Sequence, residues 1–369
     1  MKIKLYYGPR KGFEKYLPDK SRPKNLTQLI ELSDQNKRAV RVDIPNVEKT
    51  RKNKPKFKNV IATTEEYSLL SDSGLNGLIT LINEFTIENI FFQNPPQNIV
   101  QQLKKVYGGL SEDKYIYKTL GLSKLKEFST KFDIEILGQE RAKYKLISSL
   151  YQLAKNYTKS KPLILMFYGP AGVGKTETAK LLSNVLGQKL FRKQFSMFQN
   201  SSFADYIFGA SHNSSSLARD LLERESNIIL FDEFDKPNSV FFSAFYQMFD
   251  EGEFIDKNYK VDLKNTIIIC TSNFTDKHQI KEVLGDAIYS RFDSFIEFSQ
   301  LSPDVILELI TRMFNKTYSA LDSDDKKLLN ADDCLALLLS IANGNLNARE
   351  LDKFVKEFIF ARIITNSEI

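Results

Sequence analysis

The sequence predicts an α/β protein in which a parallel sheet is followed by a C-terminal helical lid and preceded by a small basic α/β domain. Three changes of pattern along the chain indicate this order. Residues 1–128 alternate short strand-like and helical stretches, residues 129–300 alternate apolar strands with helices, and residues 301–369 are helical. The middle pattern is typical of a parallel sheet covered on both faces. We therefore predict three domains with these bounds.

The first predicted domain contains strand and helix signals but no motif that assigns it a role. β-Branched and aromatic residues predict strands at Lys2–Tyr7, Ala39–Ile44, Val60–Thr63 and Asn89–Gln93. Helical periodicity predicts helices at Leu75–Phe85 and Pro96–Tyr107.

The positive charge of the chain is concentrated in residues 1–58. They hold 17 Lys and Arg against 6 Asp and Glu, a net charge of +11, whereas the whole chain has +6. Such a segment is typical of binding to nucleic acid, anionic lipid or an acidic protein, and also of a lysine-rich solvated face. Because no groove-reading or RNA-stacking motif accompanies the charge, the solvated face is favoured.

Composition excludes several classes of protein. No apolar run approaches the roughly 18 residues of a membrane span, and the first residues lack the apolar core of a signal peptide. Two cysteines, Cys270 and Cys334, and two histidines are too few for a disulfide framework or a typical structural zinc site. We therefore expect a cytoplasmic protein.

A glycine-rich segment follows the first apolar strand of the predicted sheet, Leu163–Tyr168. The segment is Gly169-Pro170-Ala171-Gly172-Val173-Gly174-Lys175-Thr176, and it satisfies the P-loop pattern. Its glycines let backbone N–H groups curl around a triphosphate, and the helix predicted over Glu177–Leu186 adds its dipole. Lys175 would reach the β- and γ-phosphates, and Thr176 would place its hydroxyl on Mg²⁺. The segment therefore predicts ATP and Mg²⁺ binding.

A second predicted strand, Asn227–Phe231, ends in two carboxylates, Asp232 and Glu233. Two adjacent carboxylates at the tip of a buried strand repel each other unless a cation or a reaction uses them. We predict that Asp232 holds Mg²⁺ through its water shell and that Glu233 is the general base for the attacking water.

The order of these motifs resembles the Clp branch of the AAA+ ATPases, in particular ClpX and the second ATPase ring of ClpB-type disaggregases. The resemblance covers residues from about 130 to 365. Besides the P-loop, it rests on Phe231–Lys236, a predicted helix at Val240–Phe249, Asp250-Glu251-Gly252, and Lys264–Asn273 with its predicted strand Thr266–Cys270. It implies a P-loop AAA+ fold, with a large subdomain at 129–300, a lid at 301–369 and ATP hydrolysis.

The resemblance also implies roles for further residues. Ile136 and Leu137 correspond to the box that packs against adenine, and Asn273 to the sensor-1 residue that orients the attacking water. Arg291 corresponds to the arginine finger that enters a neighbouring subunit's site. Such a finger requires head-to-tail contacts between identical subunits, which close into a ring, and the resemblance implies a hexamer.

The predicted lid begins at Ser302 and Pro303, an N-cap followed by proline. Further helices are predicted over Asp332–Ile341 and Ala348–Ile363. Arg349 corresponds to the sensor-2 arginine, which reports hydrolysis as lid movement. Asn347 and Glu350 have the spacing of a capping box, which places Arg349 in the first turn of its helix.

One stretch departs from the family's substrate-threading members. Residues Phe208–Arg219 align with an aromatic pore loop but are shorter and serine-rich, with no aromatic residue at the tip. The motifs and the resemblance together predict a ring ATPase that remodels an unidentified protein partner. Two alternatives stay open: a nucleotide-dependent assembly switch or sensor in a defence-type system, which does not thread, and a nucleic-acid-associated ATPase.

Overall fold

A computed structural model of the chain describes residues 1–18, 23–38, 54–155, 157, 161–197, 202–341 and 347–367. The strand predicted at Ala39–Ile44 lies outside these residues. Within them, no helix is long and apolar enough to cross a membrane.

The strands and helices are numbered in chain order. The strands are β1 Lys2–Tyr7, β2 Lys24–Asn25, β3 Lys56–Ala62, β4 Thr86–Gln93, β5 Ser111–Lys114, β6 Leu163–Tyr168, β7 Phe191–Gln194, β8 Ile228–Asp232, β9 Glu253–Ile255, β10 Lys260–Asp262, β11 Ile267–Thr271 and β12 Ser294–Glu297. The helices are α1 Arg10–Tyr16, α2 Leu26–Arg38, α3 Thr64–Leu69, α4 Asp72–Asn76, α5 Leu78–Asn83, α6 Gln97–Tyr107, α7 Leu122–Glu135, α8 Glu140–Ala154, α9 Lys175–Val185, α10 Ser202–Phe208, α11 Leu217–Leu222, α12 Tyr246–Glu251, α13 Lys277–Tyr289, α14 Pro303–Ala320, α15 Ser323–Lys327, α16 Ala331–Ile341 and α17 Ala348–Asn366. Two 3₁₀ segments lie at Phe195–Met197 and Ser239–Phe245.

Contacts divide the chain into two compact units. The N-terminal unit comprises Met1–Lys118, Phe198–Asn227 and Ser243–Lys264. The P-loop unit comprises Thr119–Met197, Ile228–Phe242 and Asn265–Ile369. The chain thus leaves the P-loop unit twice to join the N-terminal unit. The predicted division into three consecutive domains has no place for the two segments that rejoin the N-terminal unit, and it stays a prediction.

The P-loop unit contains a five-stranded parallel sheet in the order β12-β6-β11-β8-β7. The three central strands are buried along their whole length, because apolar residues occupy both of their faces. One apolar core joins this sheet to α7, α8 and α9 and to α14, α16 and α17, through buried residues such as Phe128, Leu182 and Val355. The predicted α/β architecture, a parallel sheet followed by C-terminal helices, is confirmed.

The N-terminal unit has its own five-stranded parallel sheet in the order β2-β3-β4-β1-β5. Its core contains Leu5, Val60, Ile90 and Phe92 from the three central strands. The short antiparallel hairpin of β9 and β10 also belongs to this unit. The carboxyl ends of β1, β3 and β4 lie side by side, the position at which open α/β sheets bind ligands.

Most predicted elements agree with the structure to within a few residues. The helix predicted at Leu75–Phe85 is instead two short helices, α4 and α5, which meet at Gly77. Glycine has the lowest helix propensity after proline, which accounts for the interruption. The helix predicted at Val240–Phe249 is a 3₁₀ segment followed by α12.

Candidate functional site

The P-loop segment connects β6 to α9, and its backbone conformation depends on glycine. Gly172 and Gly174 have φ angles of +73° and +106°, which residues with a side chain rarely adopt. Gly174 is the N-cap of α9, so Lys175 and the half-buried Thr176 occupy the first turn of that helix. Ile136 is buried beside Gly174, with its Cγ2 atom 3.3 Å from the position of an added Cβ.

The ammonium group of Lys175 is buried among neutral acceptors. Its Nζ donates to the carbonyls of Gly169 at 2.6 Å and Pro170 at 2.7 Å, and to Oδ1 of Asn273 at 3.2 Å. Burial lowers the pKa of Lys175 to about 8, and the positive charge of Arg349 adds to this effect, against the opposing effect of Asp232. Asn273 follows β11, so the structure brings the sensor-1 candidate to the P-loop lysine.

Asp232, the last residue of β8, is held by two neighbouring strands. Oδ1 accepts a hydrogen bond from Thr271 Oγ1 on β11 at 2.5 Å. Oδ2 accepts two from Arg192 on β7, from Nη2 at 2.5 Å and from Nε at 3.0 Å. Sequence reasoning did not identify Arg192 or Thr271 as partners of this carboxylate.

Glu233 follows β8 in a left-handed backbone conformation, with φ of +56°. Its N–H donates to Thr271 Oγ1 at 2.9 Å, and its Oε2 accepts from Gln194 Nε2 at 3.3 Å. Non-glycine residues in this conformation cost about 1–3 kcal/mol and cluster at functional sites. Sequence reasoning also missed Gln194, which pairs with Asp232 in the register of β7 against β8.

A third carboxylate, Asp235, lies beyond Glu233. Its side chain is buried and forms an ion pair with Lys236 at 3.4 Å. Burial raises its pKa, and the charge of Lys236 opposes this rise. Its negative charge also favours a higher pKa for Lys175.

The start of α17 lies against the P-loop. The N–H of Ala348 donates to the carbonyl of Gly172 at 3.2 Å, and an added Cβ at Gly172 would lie 2.6 Å from Asn347 Oδ1. The predicted capping box of Asn347 and Glu350 is confirmed. It places Arg349 in the first turn, exposed at the surface and near enough to Lys175 to lower the pKa of that lysine.

Arg291 lies just beyond α13 and is half-buried. Its guanidinium donates to the carbonyl of Ala287 within the same helical segment. Its predicted role concerns a neighbouring subunit, so it stays a prediction, as do the roles of Leu137, Thr176 and the other site residues.

Two comparisons with known proteins agree with this geometry. Residues 161–316 match the family model described as AAA domain (Cdc48 subfamily). The chain is also similar to "ATP-dependent Clp protease ATP-binding subunit ClpL" of Staphylococcus aureus strains MRSA252 and USA300, with 26% identity over 267 residues in each case. That match covers 66% of this chain and 38% of the length of these relatives. The predicted resemblance to Clp-type AAA+ ATPases is confirmed.

Proposed function

We propose that the chain is an ATP-hydrolysing AAA+ ATPase that assembles into a ring and remodels a protein partner. The observation that carries this proposal is the convergence of Lys175, Asn273 and the Asp232–Glu233 pair at the carboxyl ends of three adjacent strands, β6, β11 and β8. Ligands bind at this edge of open parallel sheets. Similarity to the ATP-binding ClpL subunits supports the same activity.

The residues present fit a polyphosphate and a magnesium ion. A buried ammonium group bonded to three neutral acceptors, as at Lys175, is suited to an anionic phosphate. Thr176 and Asp232 would hold Mg²⁺, which typically binds through one or two protein oxygens and the substrate phosphates. The ion would neutralise negative charge on the phosphate oxygens.

Glu233 would accept a proton from the attacking water, and Asn273 would orient that water. Arg291 from a neighbouring copy would neutralise charge on the transferred phosphoryl group. Arg349, at the start of α17 beside the P-loop, would link the state of the phosphate to movement of the lid.

A second candidate, an assembly switch that does not thread a substrate, is favoured by the loop Phe208–Arg219. Its His212 is 4% exposed, and Nε2 donates to the carbonyl of Leu70 at 2.8 Å. A loop held in this way is not free to grip a polypeptide. Nucleic-acid binding by residues 1–58 stays a prediction.

Mixing two inactive variants tests the ring and the roles of Glu233 and Arg291. We expect Arg291→Ala and Glu233→Gln each to lower ATP turnover at least about 10²-fold, since fingers contribute about 10³–10⁵ and general bases about 10²–10⁴. In a mixed ring, a Glu233→Gln copy would supply its intact Arg291 to the site of a neighbouring Arg291→Ala copy, which still has Glu233. Turnover of the mixture should therefore recover severalfold, and wild-type turnover per chain should rise with protein concentration.

Lys281→Ala, which removes an exposed cation from α13, is the matched control and should retain turnover. Absence of recovery in the mixture, when subunit exchange is verified by labelled copies, would contradict a shared site. Binding of ATP without turnover at any concentration would contradict the motor and favour the switch.

The pH dependence of ATP affinity tests the role of Lys175. Because its pKa in the free protein is about 8, the ammonium group is present below that pH and is lost above it. Phosphate binding needs the charged form, so we expect the Kd for ATP to be flat below pH 8 and to rise about tenfold per unit above pH 8.5. Lys175→Arg, which stays charged, should bind more weakly but without this rise. Equal slopes in both proteins, measured by equilibrium titration, would show that another group titrates.

A further inference from the structure

Residues 202–227, here called the anchor segment, belong to the same compact unit as the N-terminal sheet. The segment contains α10, the loop Phe208–Arg219 and α11, and it ends immediately before β8. Within this unit α11 contacts β10, and its residues Leu217, Leu221 and Leu222 are buried. The segment is also attached by hydrogen bonds with defined partners.

The carboxylate of Glu223 is the centre of these attachments. Oε1 accepts from Thr64 Oγ1 at 2.6 Å, Asn94 Nδ2 at 2.8 Å and Gln93 Nε2 at 2.9 Å. Oε2 accepts from the backbone N–H of Arg10 at 3.0 Å. Four donors from the carboxyl ends of β1, β3 and β4 therefore converge on one carboxylate.

The donors are themselves fixed in place. Asn94 is fully buried with a φ of +45°, and its side chain bonds to both backbone groups of Gly8, to N at 2.8 Å and to O at 3.0 Å. Gln93 and Thr64 are 1% and 3% exposed. Buried donors need an acceptor, and bonds to a charged acceptor are about twice as strong as neutral ones. The arrangement is therefore selective for a carboxylate.

Two neighbouring contacts strengthen the attachment. The buried guanidinium of Arg224 stacks on Tyr117, 4.3 Å from the ring centroid, and donates to the carbonyl of Asp262 at 3.0 Å. At the other end of the loop, His212 Nδ1 lies 3.0 Å from Asp72 Oδ1.

We propose that the carboxyl edge of the N-terminal sheet is a carboxylate-binding site whose occupant is Glu223 of the same chain, and that this clasp fastens the anchor segment to the N-terminal domain. The stretch that aligns with a substrate-gripping loop, Phe208–Arg219, lies inside the anchor segment and would be held in place by this clasp. One consequence rests on the proposed function: because the anchor segment continues directly into β8, it is the covalent link between the N-terminal domain and Asp232.

Hydrogen exchange of the full chain without nucleotide tests the clasp independently of ATP turnover. We expect amides of residues 8–12 and 208–227 to exchange at least about tenfold faster in Glu223→Ala and Glu223→Gln, because the donors lose a charged acceptor. Glu225→Gln is the matched control, since among the described residues Glu225 makes a 3.6 Å ion pair with the exposed Lys11. It should exchange within about twofold of wild type.

Added sodium acetate should restore slow exchange in Glu223→Ala, whereas acetamide and sodium chloride at the same concentration should not. If Glu223→Ala does not fold, Thr64→Val can be used, because it removes one donor. Its exchange rate should lie between the rates of wild type and Glu223→Gln. Wild-type exchange in Glu223→Gln, or equal effects of acetate and acetamide, would overturn the proposal.

Discussion

Glu233→Gln is expected to lower ATP turnover by a factor of about 10²–10⁴ while ATP affinity changes by less than about threefold. The amide has the shape of the carboxylate but cannot accept the proton of the attacking water. The backbone bond from the Glu233 N–H to Thr271 does not depend on the side chain, so the strand tip should keep its conformation. Steady-state turnover and equilibrium binding of a fluorescent ATP analogue, measured on the same sample, separate the two effects.

Glu251→Gln is a matched control on α12, where the exposed carboxylate bonds to Gln247. It should change neither turnover nor affinity. If Glu233→Gln retained wild-type turnover, the general base would lie elsewhere. One alternative is Asp235, a buried carboxylate whose pKa is raised by burial.

The strands that position this site could be predicted because each is an apolar run bounded by polar or turn-forming residues. Leu163–Tyr168 coincides with β6, and the predictions for β8 and β11 are each displaced by one residue. Their carboxyl ends meet because the sheet is parallel, so Lys175 and Asn273 could be placed together before any contact was known.

The partners of the catalytic carboxylates could not be predicted, because they depend on strand order. Arg192 and Gln194 lie on β7, a short edge strand of mixed polarity. Only the register of β7 against β8 brings Gln194 opposite Asp232. Local sequence around residue 192 contains no signal for that pairing.

The attachment of the anchor segment illustrates the same limit. Glu223 and Glu225 are both acidic residues just before β8, and nothing local distinguishes them. Glu223 bonds to Arg10, 213 positions away in sequence, whereas Glu225 makes a longer ion pair at the surface. The difference arises from the fold of the N-terminal sheet.

Gly169→Ala is expected to lower the free energy of unfolding of the P-loop unit by about 3–5 kcal/mol. Gly169 has a φ of +131°, and an added Cβ would overlap the carbonyl oxygen of Phe298. That backbone cannot move freely, because the Phe298 N–H donates to the carbonyl of Tyr168 at 2.8 Å. Relief of the overlap would therefore separate the P-loop from the chain that follows β12, and nucleotide affinity should fall with stability.

Denaturant unfolding followed separately in the two units by hydrogen exchange measures this effect, since two units need not unfold together. Gly121→Ala is the matched control in the same unit, because an added Cβ there meets no atom of the described residues within 4 Å. Its φ of −103° is open to alanine, so its cost should stay below about 1 kcal/mol. A similar stability for both variants would mean that the P-loop can shift away from Phe298. Glycine at position 169 would then be needed for nucleotide binding alone. The predicted difference in stability between the two variants would instead show that the folding of the sheet also needs glycine there.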